Sequence, residues 1–302
     1  MKLEGIHHIT AITGDAQRNL DFYARLLGLR LVKKTVNQDD PTVYHLFYGD
    51  EKGSPGADLT FFEYPGAAPG RAGAGMVHRI VWRVGSEGAL SFWAQRLEAE
   101  GTRSERVNGA LRFRDPEGLE HELVVSDSED APLIADHPEV PAEMALQGFE
   151  AVRATSPDPD ASRGLLEQGL GFDPTDDAWE VRGEQRGGLY SYEPPPAEPG
   201  RPGGGTVHHV AWASTMDDHP AWRERALQGG AQPTEVIDRF WFRSIYFREP
   251  SGVLFEIASI GPGFATDEDP EHLGERLVLP PRFERMRERI EATLTPLDNP
   301  RR

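Results

Sequence analysis

"GIHHITAI" (residues 5–12) and "TVHHVAWA" (206–213) place paired histidines in two short stretches rich in Ile, Val and Thr. The chain repeats one phrase, and the repeat decides the fold. β-Branched residues in runs of this length read as strands. Aligning the phrases through their histidines brings in two more copies. "GMVHRIVWRV" (75–84) matches "GTVHHVAWAS" (205–214) nearly position for position, and "LQGFEAVRAT" (146–155) is a fainter relative of "LEGIHHITAI" (3–12).

The flanks repeat too. The Pro/Gly loops "EYPGAAPGRAGAG" (63–75) and "EPPPAEPGRPGGG" (193–205) precede the second and fourth copies. "RDPEGLEHELVV" (114–125) and "REPSGVLFEIAS" (248–259) close them. Helical spacing ending at Gly follows each opening strand, in "NLDFYARLLGLRL" (19–31), "SFWAQRLEAEG" (91–101), "SRGLLEQGLGFDP" (162–174) and "PAWRERALQGG" (220–230). Each unit therefore reads strand, helix, strands. Four βαβββ modules are expected, over about 3–65, 75–127, 145–194 and 205–260. Modules one and two occupy 1–130. The polar, Pro-bearing stretch at 125–143 holds the joint, set at 131–144. Modules three and four occupy 145–262, and a tail over 263–302 carries a charged surface helix at 280–294.

Composition narrows the function. The 302 residues include no cysteine, which excludes disulfides and thiolate ligands. A formal charge of −18 repels phosphate backbones, so no nucleic-acid partner is expected. No apolar run approaches the ~20 residues that span a bilayer, and "MKLEGIHHIT" (1–10) lacks a secretory core. The default expectation is a cytoplasmic protein without a membrane partner; homo-oligomerisation is left open. No dinucleotide fingerprint, P-loop or serine elbow is present in the sequence.

Four βαβββ units with "HH" in two opening strands and D/E-P-x-G turns before the closing strands resemble the vicinal oxygen chelate superfamily, which includes glyoxalases, bleomycin-resistance proteins and extradiol dioxygenases. "GIHHITAI", "VHHVAWA" and "LFEIAS" most resemble its hydroquinone-type ring-cleaving dioxygenases, the 2,6-dichlorohydroquinone 1,2-dioxygenase group. The resemblance implies an α+β fold in which module pairs form two half-open β-barrels, each cupping a metal.

The residues then discriminate between pairings. An open iron site needs two imidazoles and a carboxylate on one face. At the second "HH" position the four copies carry His8, Arg79, Ala151 and His209. Pairing modules one and four gives His8, His209 and Glu256, a complete facial triad. Pairing one and two puts Arg79 where an imidazole is needed, and a guanidinium repels a divalent ion. The first and fourth modules are thus expected to pair around a metal, as the resemblance also implies. Glu122, the counterpart of Glu256, reads as a relic or a surface carboxylate.

Adjacent strand residues point to opposite faces. His7 and His208 can therefore reach the same pocket as their neighbours only through a distortion such as a bulge. The resemblance places them at the pocket edge, and places Arg239 and Tyr246 against the substrate or its oxygen. A guanidinium or phenol there would stabilise the negative charge that ring cleavage builds on oxygen. Thr10 shares the face of His8 and offers a hydroxyl. Among Phe240, Trp241 and Phe242, aromatic pocket candidates, at least one must face away. His45 in "TVYHLFYG" can face either way. His78 matches the non-ligating position and His121 opposes Glu122. His137, His219 and His272 read as solvated.

The expected activity is that of an Fe(II)-dependent extradiol-type dioxygenase acting on a hydroquinone or catechol with O2. The ligand set suits Mn(II) equally. The alternative is a glyoxalase-like isomerase or lyase that adds Glu63 to His8, His209 and Glu256 and holds Zn or Ni. A metal-free binding protein is a third class, disfavoured by the full triad.

Overall fold

The computed structural model describes residues 1–298; the last four residues of the expected tail lie outside the described residues. Module one contains β1 (Ile6–Thr13), α1 (Ala16–Leu20, continued by a wider π-type turn over Asp21–Leu26), β2 (Arg30–Val36), β3 (Tyr44–Gly49) and β4 (Asp58–Glu63). Module two contains β5 (Val77–Val84), α2 (Glu87–Ala99), β6 (Ser104–Val107), β7 (Ala110–Arg114) and β8 (Glu120–Val125). Module three contains β9 (Phe149–Thr155), α3 (Asp160–Arg163, again continued by a π-type turn), β10 (Asp173–Pro174), β11 (Trp179–Arg182) and β12 (Gly187–Glu193). Module four contains β13 (Thr206–Ser214), α4 (His219–Gln228), β14 (Ile237–Asp238), β15 (Arg243–Arg248) and β16 (Leu254–Ser259).

The strands form two eight-stranded sheets. One runs β14-β15-β16-β13-β1-β4-β3-β2 and the other β10-β11-β12-β9-β5-β8-β7-β6. The first joins modules one and four; the second joins two and three. At each centre two opening strands pair antiparallel, β1 with β13 and β5 with β9. These strands are covered on both faces, which suits their Ile, Val and Trp content. Ile9, Val210 and Trp212 are fully buried, as are Ile80, Trp82 and Val152. Polar caps start two of the helices: Asp15 accepts from the Arg18 amide, and Ser86 from the Ala89 amide.

The repeated Pro/Gly loops are the crossings between sheets, and they zip onto each other. Arg71 and Arg201 exchange both backbone hydrogen bonds at 2.8 Å. The approach depends on glycine: a Cβ on Gly73 would sit 2.3 Å from the Gly200 nitrogen.

The tail differs from the single helix expected at 280–294. A 3₁₀ segment over Pro281–Met286 leads into α5 (Arg287–Glu291), and Ile290 is buried with Val36 and Leu279. Leu277 bridges Lys34 on β2, so the tail covers the sheet edge. Apolar anchors hold this segment down despite its charged sequence.

Candidate metal centre

The β1–β13 pair carries two register shifts. Ile6 opposes Trp212 while His8 opposes Ala211, so His7 is an extra residue; Thr10 opposes His209 while Ala11 opposes Val207, so His208 is another. Each is a β-bulge, which lets two successive side chains leave on one side. That resolves the alternation problem: His7 Nδ1 lies 2.9 Å from His8 Nδ1, and His208 Nδ1 lies 2.8 Å from His209 Nδ1. The second sheet keeps shifts at the same places, next to His78 and Glu150.

His8, His209 and Glu256 meet on the concave face of the first sheet, all buried. His8 Nε2 lies 3.3 Å from His209 Nε2 and 3.2 Å from Glu256 Oε2; His209 Nε2 lies 2.9 Å from the same oxygen. Three bonds of about 2.1 Å at right angles separate their donor atoms by about 3.0 Å, so the triangle matches one face of an octahedron. Charge points the same way. Burial raises the Glu256 carboxyl, but the facing His8 and His209 outweigh that and hold it well below the usual carboxylate range. Burial pushes His209 down, toward the neutral imidazole. Among the described residues no Lys or Arg pairs with Glu256, and neither of its oxygens has a regular hydrogen-bond donor. A buried carboxylate beside two imidazoles, with no Lys or Arg to balance it, offers the donor set of a cation.

The bulge also sets the proton arrangement. Ser259 offers His7 Nε2 a carbonyl oxygen at 3.2 Å, which can only accept. The His7 hydrogen therefore sits on Nε2. Burial holds His7 neutral, its pKa lowered to about 3. Its Nδ1 then accepts from His8 Nδ1–H, leaving the His8 Nε2 lone pair bare toward the cluster. His208, more exposed, has its Nδ1 at hydrogen-bond distance from His209 Nδ1.

Around the triad, Phe62, Trp241 and Phe242 wall a cavity of about 40 Å³. Phe240 is the one that faces away, toward a separate surface groove. Tyr246, opposite Glu256 in the β15–β16 ladder, has its ring 5.8 Å from that of His209. Arg239 lies over the Tyr246 ring at 5.4 Å and grips Asp39 through both nitrogens at 3.0 and 2.9 Å. Asp39 comes from the β2–β3 loop of module one, and no sequence signal marks it. Thr10 bonds Thr60 at 2.8 Å.

Three expectations need correction. Glu63 does not join the triad. It ends β4 opposite Thr13, on the other face from the cup, and accepts from the Ala16 amide and the Thr295 hydroxyl. Glu122 is not superficial: it is 2% exposed and gathers Arg79, Arg112 and Arg153, so the second cup satisfies its carboxylate with guanidinium groups. His219 is not solvated: it starts α4 fully buried, with Nδ1 2.7 Å from the Ser214 hydroxyl.

The glyoxalase/bleomycin resistance protein/dioxygenase superfamily model matches residues 5–123 and 148–257. A Bacillus subtilis (strain 168) protein provisionally named ring-cleaving dioxygenase MhqO is 42% identical, over 98% of this chain and 97% of its own. Chlorohydroquinone/hydroquinone 1,2-dioxygenase of Sphingobium indicum is 32% identical over 97% and 96%. A crystal structure from B. subtilis subsp. subtilis str. 168, also provisionally described as a dioxygenase, superposes with a TM-score of 0.92 at 40% identity, covering 99% of this chain and 98% of that one. Glyoxalase I from Zea mays shares the fold, with a TM-score of 0.59 at 16% identity over 84% and 92%. With its four modules, paired one with four and two with three, this chain belongs to the glyoxalase/bleomycin resistance protein/dioxygenase superfamily.

Proposed function

We propose that the protein is an Fe(II)-dependent, extradiol-type ring-cleaving dioxygenase that inserts both atoms of O2 into a hydroquinone- or catechol-type aromatic. The observation that carries the reading is the buried His8–His209–Glu256 triangle at the floor of an aromatic-walled cup. End-to-end similarity to a chlorohydroquinone/hydroquinone 1,2-dioxygenase supports the substrate class. The three residues would hold the metal; Mn(II) suits them as well. Bound there, iron would supply the redox chemistry that couples the aromatic to O2.

The chain's own groups do the rest. His7 holds the His8 imidazole in one orientation and one tautomer, and His208 bonds the His209 ring. Phe62, Trp241 and Phe242 exclude water and present apolar surface to the ring. Arg239 and Tyr246 offer hydrogen-bond donors to negative charge developing on oxygen, where a low dielectric makes such donors effective. Thr10 fixes Thr60 beside the cup. The working partners are therefore a small aromatic and O2.

The glyoxalase-like alternative with Zn or Ni loses its fourth ligand with Glu63 on the other face. The test is anaerobic loading with Fe(II), followed by oxygen uptake on hydroquinone and catechol. Consumption of one O2 per ring opened, abolished in His209→Ala, is the expected result. A metal-loaded protein that consumes no O2 with either aromatic refutes the proposal.

A further inference from the structure

His45 is the second residue of β3, and alternation alone leaves it free to face either way. The structure turns it into the cup. It lies two residues before Phe47, and both line the cavity over the triad. Its ring is wedged between aromatics, 4.0 Å from the Phe47 centroid and 4.4 Å from that of Phe62. One nitrogen is tied back: Nε2 lies 2.9 Å from Thr60 Oγ1, which lies 2.8 Å from Thr10 Oγ1. Thr10 stands two residues beyond His8 on β1, so this chain of hydroxyls roots the imidazole in the strand that carries the triad. The other nitrogen, Nδ1, has no hydrogen-bond partner among the described residues, yet is not enclosed as an orphaned polar atom. Burial and the nearby His8 and His209 keep the ring neutral.

A neutral imidazole has one donor and one acceptor nitrogen. Here one is spent on Thr60, and the other stays available to a ligand in the cavity that His45 lines. The hydroxyls of Thr60 and Thr10 can rotate, so Nδ1 can donate or accept without moving a heavy atom. Phe62, Trp241 and Phe242 recognise the ring face; beside Arg239 and Tyr246 from module four, His45 adds a polar contact from module one.

Resting on the dioxygenase reading above, we propose that His45 is a specificity-determining residue whose Nδ1 hydrogen-bonds a ring hydroxyl of the aromatic substrate, distinguishing dihydroxylated rings from simple phenols. A site built to bond a hydroxyl rejects the analogue that lacks it, because its own polar atom is left unpaired. No proton transfer is required.

Two conservative variants separate this role from a structural one. In His45→Asn the amide reaches the position of Nδ1; in His45→Gln it reaches that of Nε2 and can still satisfy Thr60. Binding of hydroquinone and of phenol to the Fe(II)-loaded, oxygen-free protein would be measured by calorimetry, with iron content and thermal stability checked for each variant. Wild type is expected to prefer hydroquinone over phenol by about tenfold to a hundredfold. His45→Gln should lose most of that preference by weakening hydroquinone alone, with iron content unchanged, whereas His45→Asn retains it. Equal preference in His45→Gln and wild type overturns the inference, as does equal weakening of both ligands or a wild type that does not discriminate. Iron-loaded wild type that neither binds hydroquinone nor consumes O2 with it overturns the functional reading itself, and this inference with it.

Discussion

Glu256→Gln removes the single negative charge from a fully buried cluster while keeping its shape. In the metal-free protein, the carboxylate faces imidazole nitrogens at 2.9 and 3.2 Å and no cationic side chain. The facing imidazoles hold that carboxylate below its usual range, so the metal-free variant gives up their support and should lose up to about 2 kcal/mol. With metal present the loss is larger, because the substitution also takes away the counter-charge of a buried cation. Breaking a buried charge pair costs about 3–5 kcal/mol, which weakens affinity about a hundredfold to a few thousandfold. The two effects meet in one assay, thermal or urea unfolding with and without Mn(II) as an air-stable probe. At a metal concentration 100 times the wild-type Kd, binding stabilises wild type by about 2.7 kcal/mol. In the variant the same concentration is at or below Kd, and the gain falls below about 0.4 kcal/mol. Titration calorimetry gives the affinities directly. A variant that keeps affinity within tenfold, or whose metal-free form loses more than about 2 kcal/mol, would show that Glu256 is a structural residue and that the charge argument is wrong.

The second cup provides the contrast: Glu122→Gln leaves Arg79, Arg112 and Arg153 around a neutral amide and should destabilise the fold without changing metal affinity. The loss should be on the order of 2 kcal/mol, less than for a fully buried pair, because Arg112 and Arg153 are each 29% exposed; urea denaturation and metal titration measure the two readouts. Asp39→Asn frees Arg239 at the mouth of a cavity too small for an aromatic ring as it stands; since a partly exposed pair is worth up to about 1 kcal/mol, anaerobic stopped-flow should show hydroquinone entering up to about fivefold faster, with kcat lowered. Asp115, buried beside Tyr23, has its pKa raised to about 6 by burial. The folded protein then binds more protons than the unfolded chain between pH ~4 and ~6. This contribution is complete below the unfolded value near 3.8, and up to about 3 kcal/mol of it is lost as pH rises through 6; the stability difference between wild type and Asp115→Asn, followed by urea unfolding, should shrink accordingly, and a flat difference would contradict the assignment.

The fold was legible because its information is local and repeated. Opening strands of Ile, Val and Thr and helices ended by Gly recur four times and Pro/Gly crossings twice, and the contrast of His8 and His209 with Arg79 and Ala151 selects the module pairing. What escaped the sequence is set by register and by distant partners. No residue type announces the bulges at His7 and His208. Parity along β4 decides that Glu63 points away, but only once the strand's phase relative to His8 is known. His219, in a polar and Pro-flanked setting, is buried because Ser214 and α4 enclose it. Arg239 finds its partner in module one, where Asp39 looks like any loop acid. The tail reads as a charged helix, yet Leu277, Leu279 and Ile290 pin it to the sheet edge.

The central claim is that strands from the two ends of the chain jointly hold one ion. X-ray absorption at the iron edge of the anaerobically loaded protein, recorded for wild type and His209→Ala, tests it most directly. Wild type should show one iron per chain with two imidazoles and a carboxylate among oxygen and nitrogen neighbours near ~2.1 Å, and the variant should lose an imidazole or the metal. An iron without imidazole scattering, or a spectrum unchanged by the substitution, would contradict it.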